Sequence, residues 1–144
     1  MVQTLLYTTM LKTSSGWEQA LALAADRSGG GVLFHCAQGK DRTGVLAALL
    51  QHAVGDSEAQ IIADYAMSEV LLKQRPEDGP PPKSSGGDGD GVDWSTLRGS
   101  PPMAMKETFD WIRKENGGAI DNFLGRCGCT DAWRQKLLRG LPEL

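Results

Sequence analysis

The feature that most constrains the fold is one short apolar run, residues 32–34 (Val-Leu-Phe), between a triple glycine and a polar loop. Such a run is typical of a buried strand in a parallel sheet. A buried strand has backbone groups on both edges, and these groups need hydrogen-bond partners. Residues 1–12 also carry strand-forming side chains, but Val2, Leu6 and Met10 recur at helical spacing, which favours a helix. We therefore expect an α/β fold whose remaining sheet lies outside this chain rather than in residues 1–12.

Hydrophobic periodicity predicts helices along most of the remaining chain. Ser15 and Glu18 have the spacing of a capping box and introduce a helix over about residues 15–27. Residues 43–54 are apolar on all sides, which predicts a central, buried helix. Further helices are predicted over residues 58–73, 102–116, 120–124 and 131–139.

Residues 76–102 differ from the rest because Pro, Gly and Ser dominate them. This composition predicts a flexible, partly disordered segment. It is too long for an ordinary connection, so it is either an insertion or a lid near the substrate, and we favour the insertion. With 144 residues in all, the chain fits a single domain, residues 1–144, that carries this insertion.

The net charge limits the classes of binding partner that are expected, and the cysteine content indicates the cellular compartment. The formal net charge is -3, which argues against a general nucleic-acid binder. No apolar run approaches the roughly 20 residues of a membrane helix, so no transmembrane segment is expected. Three cysteines form no disulfide framework, and we expect a reducing, cytoplasmic location.

The chemistry is concentrated in residues 35–42, which we call the cysteine loop. Cys36 and Arg42 stand six positions apart, between the apolar run and a helix start. If the loop curls, its N–H groups form an anion-binding nest, and the next helix directs its positive N-terminal end to the same point. Arg42 can bind two phosphate oxygens, and the same dipoles should lower the pKa of Cys36. The loop is therefore predicted to hold a tetrahedral dianion beside a sulfur nucleophile.

Such a site suits phosphoryl transfer to Cys36, followed by hydrolysis of the phospho-cysteine. The loop amides and Arg42 supply the charge stabilisation, so no metal and no organic cofactor is expected. Thr43 can donate its hydroxyl to the sulfur and improve it as a leaving group. His35 can bond nearby backbone and hold the shape of the loop. A Walker phosphate loop is excluded because Asp41 follows the Gly-Lys pair.

The segment resembles the phosphate-binding loop of the cysteine-dependent protein-tyrosine phosphatase superfamily, His-Cys-x5-Arg-Ser/Thr. Residues 39–44 (Gly-Lys-Asp-Arg-Thr-Gly) are similar, more narrowly, to the atypical tyrosine phosphatases of bacteria and fungi, which are related to phosphoinositide phosphatases. Asp64, Tyr65 and Ser68 resemble the Asp-Tyr-x-x-Ser segment of that family's next helix. The resemblance covers most of residues 31–140. It implies a three-layer α/β phosphatase fold, of which this chain would be a helix-rich, carboxy-terminal portion.

The resemblance also implies roles for individual residues. Cys36 would be the nucleophile, Arg42 the phosphate clamp and Thr43 the group that assists the departing thiolate. The remaining residues of the motif would line the phosphate pocket or support the loop: Ala37, Gln38, Gly39 and Lys40 in the pocket, and His35 and Gly44 as support.

Two residues of the motif keep two interpretations each. Asp41 is a candidate general acid, but it can equally be structural, accepting loop hydrogen bonds or pairing with a neighbouring base. Lys40 adds a positive charge that would favour substrates with extra phosphates, such as phosphoinositides; the alternative is a solvated lysine. Cys127 and Cys129 are expected to be ordinary thiols, although either could trap an oxidised Cys36.

Phosphotyrosine in proteins is the lead substrate that these residues imply, ahead of phosphoserine, phosphothreonine and phosphoinositides. The alternative is a catalytically impaired, phosphatase-like module that binds phosphorylated partners. It is considered because the acidic residue that many relatives carry upstream of the loop has no counterpart in this sequence.

Overall fold

The computed structural model describes residues 1–13, 15–26, 28–73 and 99–140. These residues form seven helices: α1 (Val2–Thr13), α2 (Gly16–Ala25), α3 (Arg42–Val54), α4 (Glu58–Lys73), α5 (Pro102–Glu115), α6 (Ile120–Arg126) and α7 (Asp131–Arg139). None of the described residues belongs to a strand or a sheet. The expected three-layer α/β fold is therefore wrong, since the described part of the chain is helical.

The fold prediction fails at the apolar run before the cysteine loop. The run is neither helical nor paired with another segment among the described residues. Val32 is 42% exposed and Leu33 is 90% exposed, while Phe34 packs against the core. The segment that could have paired with it forms α1 instead, because Tyr7 and Leu11 bury one helical face. An apolar run without a neighbouring strand has no ladder to join, so the expected buried strand does not form.

The helix favoured for residues 1–12 is confirmed as α1, but its buried face differs from the predicted one. Val2 and Leu6 of the predicted stripe are 50% and 37% exposed. The buried stripe is shifted by one position along the helix. Gln3, Tyr7 and Leu11 form it at helical spacing, and Thr8 is buried beside them. The shift brings a tyrosine hydroxyl into the interior, where it needs a hydrogen-bond partner.

The predicted central helix is confirmed as α3, which packs against α1, α2, α4, α6 and α7. Its buried side chains are Val45, Leu46, Ala48, Leu49 and Ala53. Because α3 begins at Arg42, the packing of this helix fixes one end of the cysteine loop.

The other predicted helices are confirmed within a few residues at their ends. The capping box is wrong: Ser15 lies at the N-cap of α2, but its side chain makes no capping hydrogen bond. Within the described residues, no helix has both the length and the apolar character needed to span a bilayer.

Residues 76–98 of the predicted insertion lie outside the described residues. The chain is described again from Gly99, next to α4. The backbone N–H of Ser100 donates to Glu69 Oε2 at 3.1 Å, and the Ser100 hydroxyl donates to the carbonyl oxygen of Ala66 at 3.3 Å. These bonds attach the start of α5 to α4.

Leu49→Ala tests the central position of α3. Leu49 is fully buried, so its truncation should lower the free energy of unfolding by about 2–5 kcal/mol. Leu23→Ala is the matched control, because Leu23 is 56% exposed and its truncation should cost no more than about 0.5 kcal/mol. Urea denaturation of both variants measures the difference. Equal losses would contradict the packing described here.

Candidate active site

The cysteine loop carries the predicted nucleophile at one end and the predicted clamp at the other. Cys36 is half-buried, and Arg42, the first residue of α3, is exposed. Gly39 has φ +76°, a left-handed conformation that residues other than glycine rarely adopt. This turn directs the backbone N–H groups of Gln38 and Gly39 to the Cys36 sulfur, and the N–H of Thr43 reaches it from the start of α3.

These donors decide the charge on Cys36. Burial raises the pKa of the thiol. The Thr43 hydroxyl and the backbone N–H groups of Thr43, Gly39 and Gln38 act in the opposite direction and prevail. Together they lower the pKa of Cys36 from its ordinary value of 9.0 to about 6. At neutral pH the sulfur is therefore mostly thiolate, the form that attacks phosphorus.

The Thr43 hydroxyl is the side-chain group that most strongly favours the anionic form of this sulfur. Thr43 Oγ1 is buried and makes no hydrogen bond of standard geometry with the described residues. It is nevertheless the largest of the influences that lower the pKa of Cys36. Because sulfur is a weak and diffuse acceptor, we interpret the contact as electrostatic stabilisation rather than as a short hydrogen bond. A thiolate beside the hydroxyl would give this buried oxygen its partner.

A cavity of about 230 Å³ borders the loop on the side of Arg42 and Thr43. His35 and the side chains of α1, α2 and α3 complete its wall: Met10, Gly16, Trp17, Ala20, Phe34 and Leu46. His35 Nδ1 lies 3.2 Å from the carbonyl oxygen of Cys36, a hydrogen bond when that nitrogen carries the proton. Arg42 and Thr43 therefore form part of the wall of a mainly apolar cavity.

Lys40 turns away from solvent, into the helices, and Asp41 beside it is partly buried. Lys40 is fully buried, and its Nζ donates to Asp41 Oδ1 at 2.8 Å. The hydroxyl of Tyr7 donates to the same oxygen at 2.7 Å, and the hydroxyls of Tyr7 and Tyr65 lie 2.6 Å apart. Asp41 occupies the N-cap position of α3, but its side chain makes no capping bond. The two residues therefore connect the loop to α1 and α4, while their catalytic roles stay predictions.

The last residue of the motif, Gly44, is in contact with Tyr65. A Cβ added at Gly44 would lie 3.1 Å from Tyr65 Cδ2, closer than about nine in ten real Cβ contacts. The ring of Tyr65 therefore packs directly on the first turn of α3. Ala37 lies at the exposed surface of the loop.

Sequence analysis gave Tyr7 no role, and it noted Tyr65 only within the Asp-Tyr-x-x-Ser segment of the family resemblance. The chain has two tyrosines, and both are almost wholly buried, at 0% and 4% exposure. A tyrosine at helical spacing from apolar residues was the available signal, since a buried phenol hydroxyl requires a polar partner. It could not show which polar group that partner is.

Cys127 and Cys129 have an environment opposite to that of Cys36. Both are half-buried and pack against the hydrophobic core at the end of α6. Burial raises the pKa of Cys127, and it raises that of Cys129 to about 11. In the described ranges, no three His, Cys, Asp or Glu side chains gather as metal ligands do.

Comparison with known proteins finds two curated relatives with similar sequences. A tyrosine-protein phosphatase of Nostoc commune is 42% identical over 62 residues, which are 43% of this chain and 21% of that protein. The triple specificity protein phosphatase PtpB of Mycobacterium tuberculosis is 43% identical over 67 residues, 43% of this chain and 23% of that protein. The matches therefore span less than a quarter of each relative. No solved structure matches the chain.

The family comparison extends much further than the pairwise matches. The model of the tyrosine phosphatase family matches residues 2–143, nearly the whole chain. This match confirms the resemblance that the cysteine loop indicates. The chain therefore belongs to the tyrosine phosphatase family.

Proposed function

We propose that this chain hydrolyses phosphate monoesters through a phospho-cysteine at Cys36, with phosphotyrosine in proteins as its lead substrate. The observation that carries the proposal is a thiol with a pKa of about 6, surrounded by hydrogen-bond donors from its own loop. Donors that stabilise a sulfur anion are equally suited to the oxygens of a phosphoryl group. Membership of the tyrosine phosphatase family supports the same reaction class.

The first step transfers the phosphoryl group to sulfur. The Cys36 thiolate attacks phosphorus, an S–P bond forms, and the P–O bond to the aryl group breaks. The leaving oxygen takes a proton from an acid or from water. The guanidinium of Arg42 and the loop amides stabilise the charge on the transferring oxygens.

The second step restores the enzyme. A water molecule attacks phosphorus, the S–P bond breaks, and inorganic phosphate leaves with the oxygen of that water. The electron pair of the broken bond returns to Cys36, so a lower pKa of the thiol makes sulfur a better leaving group. Thr43 and the loop amides supply that stabilisation.

Asp41 is our candidate for the acid of the first step. Its Oδ1 already accepts hydrogen bonds from Lys40 and Tyr7, so proton donation would have to use Oδ2. This engagement also favours the second candidate function, a module that binds phosphorylated partners without turnover. An activated aryl phosphate separates the two, because its leaving group needs little protonation. Turnover of that substrate supports the enzyme, whereas tight phosphopeptide binding without any turnover supports the module.

The position of Lys40 bears on the substrate. A lysine that selects phosphoinositides would have to present its ammonium group to a second phosphate, but Lys40 is fully buried and bonded to Asp41. Arg42 carries the one guanidinium of the motif, and a guanidinium of this kind suits a single phosphate. We therefore rank phosphotyrosine above phosphoinositides as the substrate.

Cys36→Ser should abolish hydrolysis of p-nitrophenyl phosphate, with a loss of roughly 10³-fold or more, because the hydroxyl is not ionised at neutral pH. Cys127→Ser is the matched control, since Cys127 is the C-cap residue of α6 and no part of the cysteine loop, and this variant should keep its activity. Initial rates at saturating substrate measure both. Activity that survives in Cys36→Ser would rule out the phospho-cysteine.

Alkylation by iodoacetamide should reveal the low pKa of Cys36. Thiolate is the reactive form, so the rate at Cys36 should reach half its maximum near pH 6 and fall as the pH drops below that value. Phosphate or vanadate should protect Cys36 by occupying the loop. Cys129, with a pKa of about 11, should remain slow throughout. Mass spectrometry of the labelled peptides gives the profile, and a Cys36 rate that rises only above pH 8 would refute the mechanism.

Thr43→Ala should raise the alkylation midpoint of Cys36, because it removes the largest influence that lowers the pKa. It should also slow hydrolysis of the intermediate more than its formation, so rapid mixing should show a burst of aryl alcohol. Thr43→Ser keeps the hydroxyl and should resemble the unmodified chain in both measurements. If Ala and Ser behave alike, the hydroxyl has no part in either step.

A further inference from the structure

A chain of buried polar groups crosses from α4 to the cysteine loop. Tyr7 has one hydroxyl hydrogen, and the 2.7 Å bond to Asp41 Oδ1 uses it. The 2.6 Å contact between the two tyrosine hydroxyls therefore has Tyr65 as donor and Tyr7 as acceptor. Lys40 completes the chain by donating to the same Oδ1. α1 and the loop thus meet at one carboxylate oxygen, and α4 is connected to it through the hydroxyl of Tyr7.

We propose that Tyr7 and Tyr65 are positioning residues of the cysteine loop: their hydroxyls hold Asp41, Asp41 holds Lys40, and together they fix the curled form of the loop. The inference rests on the proposed function, because it concerns the geometry of the same site. It assigns a role to two residues outside the motif. Neither tyrosine touches the reacting atoms.

The position of Lys40 and Asp41 in the loop supports this inference. Lys40 and Asp41 follow Gly39, whose N–H group reaches the Cys36 sulfur, and they precede Arg42. Their carbonyl oxygens accept the first backbone bonds of α3, from Gly44 at 3.1 Å and Val45 at 2.9 Å. Whatever holds these two side chains therefore holds both the turn that faces the sulfur and the start of the helix.

Because Lys40 is buried, water cannot easily replace the hydrogen bond between Lys40 and Asp41. The Lys40 side chain has no exposed surface, and an ammonium group in that position needs a hydrogen-bonded anion. Asp41 supplies that anion. Glu69 on α4 adds a second, more distant carboxylate: its pKa is lowered chiefly by Lys73 and the N–H of Ser100, and also by Lys40. Removal of the hydroxyl of Tyr7 would leave Asp41 with one donor fewer inside the protein.

The tyrosines themselves are unsuited to proton transfer. Burial, together with the bonds to Tyr65 and Asp41, raises the pKa of Tyr7 far above its usual range. Burial also raises the pKa of Tyr65, to about 12. Their rings stand edge to face, with centroids 6.1 Å apart and planes at 87°. Both therefore remain neutral hydroxyl donors, as a positioning role requires.

The test removes each hydroxyl while keeping the ring, in Tyr7→Phe and Tyr65→Phe. The main readout is the pH midpoint of Cys36 alkylation, because a merely structural loss would lower stability without moving it. Tyr7→Phe should raise the midpoint by about one pH unit and lower kcat on p-nitrophenyl phosphate about tenfold. Tyr65→Phe, one bond further from Asp41, should produce a smaller shift in the same direction and serves as the test if Tyr7→Phe does not fold.

Two controls identify the cause of any shift. Thr108→Val removes another buried hydroxyl, whose 2.7 Å bond to the carbonyl oxygen of Ala104 stays within α5, and should lower stability without moving the midpoint. In an Asp41→Ala background, which lacks the accepting oxygen, the added Tyr7→Phe change should shift the midpoint much less than it does alone, because the two residues act through one contact. Full additivity in that double-mutant cycle would overturn the proposal.

The unmodified chain separates failure of this inference from failure of the proposed function. A low midpoint in the unmodified chain that neither tyrosine variant moves would overturn the positioning role and leave the phosphatase proposal intact. An ordinary thiol profile in the unmodified chain would overturn both.

Discussion

A half-buried sulfur anion requires several donors at once, and this requirement shapes the structure around Cys36. Desolvation opposes the charge, so the thiolate is favoured only where amides and a hydroxyl converge on it. The chain meets the requirement with adjacent parts of one loop, through the left-handed turn at Gly39 and the start of α3. The start of α3 is held in place by the packing of that helix against five others, so the helical assembly positions the donors that Thr43 supplies.

The helices were predictable because each depends on local periodicity. The stripe of Met105, Phe109 and Ile112 in α5 is buried as its spacing indicates. The strand was not predictable in the same way, because a strand depends on a partner that sequence spacing does not reveal. Leu33 and its two neighbours have side chains typical of a buried strand, but among the described residues no segment pairs with them. The fold class therefore failed where the prediction needed a long-range contact.

The site, like the fold, was predictable where it depends on residues close together in the sequence. The loop motif placed Cys36, Thr43 and the amide donors near one another, since they lie within eight consecutive residues. It could not show that Lys40 turns inward, because a lysine beside a phosphate loop has no sequence feature that separates a pocket position from a buried one. It also could not connect the loop to Tyr7, which precedes Asp41 by 34 residues. That contact exists only because α1 buries a face shifted by one residue from the apolar stripe.

The contact between Gly44 and Tyr65 has a consequence for how this sequence can change. A methyl group at position 44 would lie 3.1 Å from Tyr65 Cδ2, so the tyrosine ring would have to shift slightly, and its hydroxyl, 2.6 Å from that of Tyr7, belongs to the same rigid ring. A smaller residue at position 65 would make room for a side chain at position 44, but it would remove the hydroxyl that donates to Tyr7. A side chain at position 44 therefore acts, through the ring of Tyr65, on the buried hydroxyls beside the cysteine loop.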